Sequence, residues 1–257
     1  ASNVVGIIPQ KIRPLNDPSA RPKHSEVYRV LRMNLKSSKK LGDGKVVLFT
    51  SASAGEGKSM TSFNLAYVCA EVGEKVLLID ADLHRPRQHK ILATENVPGL
   101  SNVVVGEATF DQAVQKTALE NLDFLPSGKI ANSNVYGLMD TDEMRAVLDE
   151  ARKRYDRVVM DAPPMIGVSD TAQLTRLADG VALVIQHRKY PRALCKRAKD
   201  MITSMGGNLV GIILNNINAS HDYSSYYYEH QYYYYYYSNE SNGRTKRRSS
   251  SKSKSQA

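Results

Sequence analysis

The residues Ala52-Ser53-Ala54-Gly55-Glu56-Gly57-Lys58-Ser59 follow a β-branched run and open a helical pattern. Strand, glycine-rich turn and helix, in that order, are the context of a phosphate-binding P-loop. Small side chains let backbone N–H groups approach a polyphosphate, and the helix N-terminus adds a favourable field. Lys58 would meet the β- and γ-phosphates, and Ser59 would offer its hydroxyl to Mg2+. The first position is Ala52 where Gly is usual. The plainer alternative is a glycine-rich turn with an exposed lysine. A second stretch, Leu77-Leu78-Ile79-Asp80-Ala81-Asp82, ends an apolar run on two carboxylates two residues apart. One could position a metal and the other accept a proton from a nucleophile. A solvated strand terminus with a helix-capping Asp is the competing reading. A third, Val158-Val159-Met160-Asp161-Ala162-Pro163-Pro164, matches the Walker B arrangement, in which the Asp belongs to the metal shell. Its paired prolines should force the chain away from the sheet. Asp156 and Asp170 read as surface or cap residues. Guanine recognition would need an Asn-Lys-x-Asp stretch, and none occurs, so an adenine nucleotide is favoured. Asn215 ends another apolar run. Its amide can donate and accept, so a base contact and a turn-forming Asn are equally open.

Elements that could position these residues are legible around them. Apolar runs predict strands at 46–50, 75–80, 122–126, 157–161, 181–186 and 209–214. Amphipathic spacing predicts helices at 24–40, 58–72, 87–93, 139–154, 169–178 and 191–205. The strand runs are nearly continuous in apolar residues, as expected of a mostly parallel sheet covered by helices on both faces. The fold class is therefore α/β, and the strand-end motifs fall on the carboxyl edge, where open α/β folds bind ligands. Pro9, Pro14, Pro18 and Pro22 oppose regular structure, so 1–23 reads as an extended arm. From Ser220 the chain is low in complexity, first Tyr-rich and then Ser/Lys/Arg-rich, and reads as a disordered tail. The expected organisation is an arm at 1–23, a domain at 24–219 and a tail at 220–257.

Composition bounds the function classes. The 257 residues are 42% hydrophobic, enough for a sizeable core, so a wholly disordered chain is excluded. No apolar run approaches the roughly 18 to 20 residues of a membrane-spanning helix. Residues 1–10 lack the pattern of a secretory signal, and the absence of an initiator Met suggests a processed or excised fragment. Two cysteines far apart, Cys69 and Cys195, argue against a disulfide framework and for a reducing cytoplasm. The formal charge of +9 is concentrated at the ends: residues 1–50 net +7 and residues 238–257 net +5. A body that is slightly acidic argues against nucleic-acid binding across the fold. Basic ends suit a membrane surface, an acidic partner or plain solubility. Ten of the fifteen tyrosines fall between 223 and 237, including six in a row. Neither helix nor strand periodicity can bury six consecutive side chains.

With these motifs together, the sequence resembles the cytoplasmic catalytic domain of the bacterial tyrosine kinases (BY-kinases), which control exopolysaccharide and capsule synthesis. Five features carry the resemblance over roughly residues 24–237: the P-loop at 52–59, Asp80-Ala81-Asp82 with its following Arg85-Pro86, Asp161-Ala162-Pro163-Pro164, the spacing Glu26-x-x-Arg29-x-x-Arg32, and the tyrosine cluster. Two positions depart from the pattern. Ala54 stands where the family usually has Pro, and His84 where it often has Arg. Neither change removes a phosphate or metal ligand. The related partition and cell-division ATPases carry a second, upstream lysine in the P-loop; Ser53 at that position favours the kinase branch.

The resemblance implies a P-loop NTPase fold and an ATP-dependent protein-tyrosine kinase. Ala54, Gly55, Glu56, Gly57, Lys58, Ser59 and Met60 would hold the ATP phosphates, with Asn215 as the candidate base contact. Ser59, Asp82 and Asp161 would form the Mg2+ site. Lys58, Asp80, Asp82 and Asp161 would be catalytic, with a carboxylate taking the tyrosine proton. Glu26, Arg29 and Arg32, near one helix face, would dock onto a neighbouring subunit and close a homo-oligomeric ring, an octamer in the family. A solvated charged face is the alternative there. Tyr223, Tyr226, Tyr227, Tyr228, Tyr232, Tyr233, Tyr234, Tyr235, Tyr236 and Tyr237 would accept phosphate in trans. Also implied are a transmembrane co-polymerase partner, fused or separate, an opposing tyrosine phosphatase, and a place at the cytoplasmic face of the plasma membrane. Two other readings stay open: a MinD- or ParA-like ATPase switch without protein kinase activity, and a non-catalytic nucleotide-binding scaffold.

Overall fold

A computed structural model describes residues 3–20, 22–129 and 137–218. The chain divides into units Ala1–Asn216 and Ile217–Ala257; only Ile217 and Asn218 of the second are described. The tyrosines of the 223–237 cluster lie outside the described residues.

The apolar runs pair into one eight-stranded sheet. Its strands are β1 (Val4–Pro9), β2 (Val46–Ser51), β3 (Val76–Asp80), β4 (Gln115–Lys116), β5 (Leu122–Leu125), β6 (Arg157–Asp161), β7 (Gly180–Gln186) and β8 (Leu209–Ile217). Their spatial order is β1-β8-β7-β2-β6-β3-β5-β4. The pairs β8/β7, β7/β2, β2/β6, β6/β3 and β3/β5 are parallel, and the short β4 runs antiparallel to β5. The helices are α1 (Pro22–Lys36), α2 (Lys58–Glu71), α3 (Gln88–Leu92), α4 (Leu100–Val104), α5 (Phe110–Ala113), α6 (Asp142–Arg154), α7 (Asp170–Leu177) and α8 (Arg192–Ser204).

Alternation along the strands sorts the core onto two faces. Val46, Leu48, Leu77, Ile79, Val158, Met160, Val181 and Leu183 share one cluster with Leu100, Met144, Leu148, Leu174 and Ile202, which lie on α4, α6, α7 and α8. The intervening Val47, Phe49, Val76, Leu78 and Val159 are equally buried and point to the other face, where α2 contacts β2, β3 and β6 and is itself overlaid by α1. Burial on both sides explains why α2 hides Ser62 and Asn64 as well as Phe63, Leu65 and Val68.

Two expectations change. The 1–23 segment is not free of regular structure, because β1 joins the sheet beside β8. Its prolines stand at or after the strand's end, and Val4, Val5, Ile7 and Ile8 supply the β-branched run. Three short elements, β4, α4 and α5, carry no signal in the sequence, since two to five residues are too few to display a period.

Candidate active site

The spatial order brings the three chemical stretches together. β6 lies between β2 and β3, so Asp161 at its end sits beside both the P-loop and Asp80. Asp80 and Asp161 are direct ladder partners. Lys58 opens α2 from the P-loop and turns its ammonium to the carboxylates. Its Nζ lies 2.9 Å from Asp82 Oδ2 and 3.3 Å from Asp161 Oδ1, and 3.4 Å from Ser59 Oγ. Burial works against the Lys58 charge, but Asp161, Asp82 and Asp80 outweigh it and raise its pKa.

Gly57 precedes α2 with φ 91° and provides no side-chain cap, so the first N–H groups of a fourteen-residue helix have no side-chain acceptor. This is the anion-receptive end of a helix. Only glycine fits here: a Cβ at Gly57 would lie 2.0 Å from Asn215 Nδ2. Asn215 reaches that point because its Nδ2 donates to the Glu56 carbonyl at 2.8 Å. Glu56 is fully buried, and its carboxylate accepts from Ser53 N at 2.7 Å and Gln186 N at 2.9 Å. Burial raises its pKa against those two bonds. The loop is thus braced from inside by its own Glu and tied to the ends of β7 and β8.

The acidic loop is held by backbone donors. Asp80 Oδ2 accepts from Arg87 N and Gln88 N, both at 2.9 Å, and its Oδ1 from Asp82 N at 3.2 Å. Asp82 Oδ1 accepts from Arg85 N at 3.0 Å. Asp80 is completely buried; burial, together with the Asp161 charge, pushes its pKa up to about 7. Three buried carboxylates therefore surround one buried ammonium. That surplus of negative charge is the observation that fits a cation. No cage of three His, Cys, Asp or Glu ligands is preformed among the described residues. Mg2+ does not require one, since it keeps waters and takes one or two carboxylates plus phosphate oxygens.

A family model described as an AAA domain matches residues 44–204. A tyrosine-protein kinase of Bacillus subtilis (strain 168), YwqD, is 38% identical over 205 residues, covering 79% of this chain and 86% of that one. The chain belongs to the bacterial tyrosine kinases. Among solved structures, the kinase domain of the Escherichia coli tyrosine kinase ETK superposes with a TM-score of 0.78 at 27% identity, covering 85% of this chain and 91% of that one. MinD from Pyrococcus horikoshii, at 22% identity and a TM-score of 0.57 over 70% and 76% of the two chains, shares the fold alone. The protein is accordingly a nucleotide-binding protein-tyrosine kinase, and the ATPase-switch reading is disfavoured.

In this kinase domain several side chains stand where their types did not announce them. Asp170, read as a surface or cap residue, is buried and lies 3.0 Å from His84 Nε2. Its position at the first turn of α7, after the 163–169 loop, brings it under the acidic loop, and the His84 departure thereby acquires a carboxylate partner. The prolines after Asp161 do not release the chain at once: Ala162 N and Met165 N still donate to Phe49 O and Ser51 O of β2. Lys189 Nζ donates to Gly55 O at 2.6 Å, and Tyr190 Oη to Ala54 O at 3.1 Å. Both follow the end of β7, so the carboxyl-edge rule could have flagged them. Gln88, buried between the P-loop helix and Asp161, had no signal beyond opening a predicted helix.

The α1 triad is split. Arg29 and Glu26 are half exposed and 3.5 Å apart, with Arg29 also 3.5 Å from Glu71. Arg32 turns inward, its Nε 3.0 Å from Glu74 Oε1. Cys69 and Cys195 are free thiols, and burial pushes Cys69 up to about 12. No helix among the described residues is long and apolar enough to cross a membrane.

Proposed function

We propose that this kinase binds ATP with Mg2+ at the P-loop and phosphorylates tyrosines of its own 223–237 cluster, presented by a neighbouring copy. The observation that carries the reading is the convergence of Lys58, Asp82 and Asp161 at the open N-terminus of α2. Backbone N–H groups from 54–60 and the Lys58 ammonium would bind the phosphates, which compete with Asp82 and Asp161 for that ammonium. Ser59, Asp82 and Asp161 would hold Mg2+, whose charge offsets that building on the transferring phosphoryl group. Asp80, whose oxygens already accept three backbone donors, shapes the loop and adds negative potential. Asp82 would then also be the carboxylate that takes the tyrosine proton, through whichever oxygen the metal leaves free, from a group that ordinarily titrates near 10. Asn215 holds the P-loop through the Glu56 carbonyl and would be the candidate base contact.

Incubation with labelled ATP tests this directly. Phosphotyrosine on 223–237 is expected; free phosphate alone would return the ATPase-switch reading, and neither product the scaffold.

We further propose a ring of copies docked through Glu26 and Arg29, beneath a membrane and joined to a transmembrane partner, with a role in exopolysaccharide or capsule synthesis. Phosphates of about −1.5 to −2 charges each would make the cluster repel its equivalents, and an opposing phosphatase would reset it. Replacing Glu26, Arg29 and Arg32 with Ala should give a monomer that binds ATP but labels itself poorly. Arg32 also ties α1 to Glu74, so the Glu26/Arg29 double variant is the cleaner test. An unchanged mass by light scattering would return these residues to a solvated face.

A further inference from the structure

We propose that Gln88 is the positioning residue that orients the Asp161 carboxylate and couples it to the P-loop helix. The inference rests on the reading of Asp161 as a metal-site carboxylate. Gln88 opens α3 and is fully buried. Its Nε2 lies 2.9 Å from Asp161 Oδ2, 2.9 Å from Ser59 O and 3.1 Å from Ser62 Oγ. The carboxylate and the carbonyl have no proton to offer, so the nitrogen end of the amide must face them. The Ser62 hydroxyl itself donates to Ser59 O at 3.0 Å, closing the group. Through its backbone N–H, Gln88 also donates to Asp80 Oδ2. One residue therefore joins the carboxyl ends of β3 and β6 to the first turn of α2.

The chemistry explains why an amide suits the position. A lysine or arginine would neutralise Asp161 and oppose a metal cation. An apolar side chain would leave Asp161 Oδ2 buried without a donor, which is costly. A neutral donor holds Oδ2 and leaves Oδ1, the oxygen facing Lys58, on the nucleotide side. The arrangement even leaves Gln88 Oε1 buried with no hydrogen-bond partner. Groups that act through a metal ligand in this way typically contribute 10–100-fold in metal affinity or activity.

The test is Gln88→Met, close in length and unable to donate, measured beside Asp161→Asn. The readouts are Mg2+ titration of a bound fluorescent ATP analogue, binding of the same analogue in EDTA, and the melting temperature. For Gln88→Met the Mg2+ concentration at half-effect should rise about 10-fold or more. Binding in EDTA should stay within about twofold, and the melting temperature should fall by no more than about 5 °C. Gln88→Glu, which sets a carboxylate against Asp161, should shift the Mg2+ response further than Met does. A wild-type Mg2+ response in Gln88→Met, with Asp161→Asn shifted, overturns the role of Gln88 and leaves Asp161 standing. Loss of EDTA binding together with a low melting temperature would make Gln88 a structural filler and also overturn it. If Asp161→Asn itself leaves the Mg2+ response unchanged, the metal-site reading falls and the Gln88 role with it.

Discussion

Lys58→Met is expected to abolish tyrosine phosphorylation, with a loss on the order of 10²–10³-fold or more, the range for removing one preorganised charge-stabilising group. The fold should persist, because Lys58 contributes charge rather than apolar packing. It should not persist unchanged. Lys58 is the ammonium set among Asp80, Asp82 and Asp161, and without it those carboxylates are buried uncompensated. Asp80 already has a folded-state pKa raised to about 7. A carboxylate raised above its unfolded value, near 3.9, costs no stability when both states are protonated. Its cost grows as pH rises from the unfolded toward the folded value. Removing Lys58 withdraws a lowering influence on Asp80, so the cost deepens. The melting deficit of Lys58→Met, without nucleotide or metal, should therefore be larger at pH 7.5 than at pH 5. Calorimetry at the two pH values decides it, and an equal deficit would contradict the shared-ammonium picture. Labelling at the wild-type rate would overturn the active-site assignment.

Asp161→Asn should separate activity from stability in the opposite direction. The substitution keeps shape and removes one charge from the pair of ladder neighbours Asp80 and Asp161. Phosphoryl transfer should fall by about 10²-fold or more, since several kcal/mol of charge stabilisation depend on the metal shell. The metal-free protein should nonetheless melt higher at neutral pH, because Asp161 is the main charge raising Asp80 and Lys58 keeps the shorter ion pair to Asp82 when Asp161 is neutral. Relief of about 1 kcal/mol would appear as about 2–4 °C in a domain of this size. A normal rate would remove the Walker B reading. A lower melting temperature would show that Asp161 is needed for packing rather than tolerated for catalysis.

The six main strands and the five helices of eight residues or more are legible because each carries enough residues to show a period, and the five-residue α3 is legible only through the longer amphipathic stretch at 87–93 around it. Burial on both faces makes continuous apolar runs, as in Val46–Ser51. Short elements such as Leu100–Val104 are not, since five residues carry no period and take their helicity from the neighbours they pack on. Prolines in the first 23 residues masked β1, whose partner is β8, some two hundred residues away.

The chemistry divides the same way. Lys58, Ser59, Asp80, Asp82 and Asp161 could be named from the sequence because each chemical type sits in a local context, a strand end or glycine-rich turn, that the backbone reads out over a few residues. Which carboxylate faces which atom was decided only by the sheet order, which inserts β6 between β2 and β3 and makes Asp80 and Asp161 ladder partners. The burial of Asp170 against His84, the inward turn of Arg32 to Glu74, the tie of Glu56 to Gln186 N and the bridge from Gln88 to Asp161 all join residues several elements apart. Local propensity carries no information about such pairings; they arise when the sheet and its covering helices exclude water and most buried polar groups must find a partner.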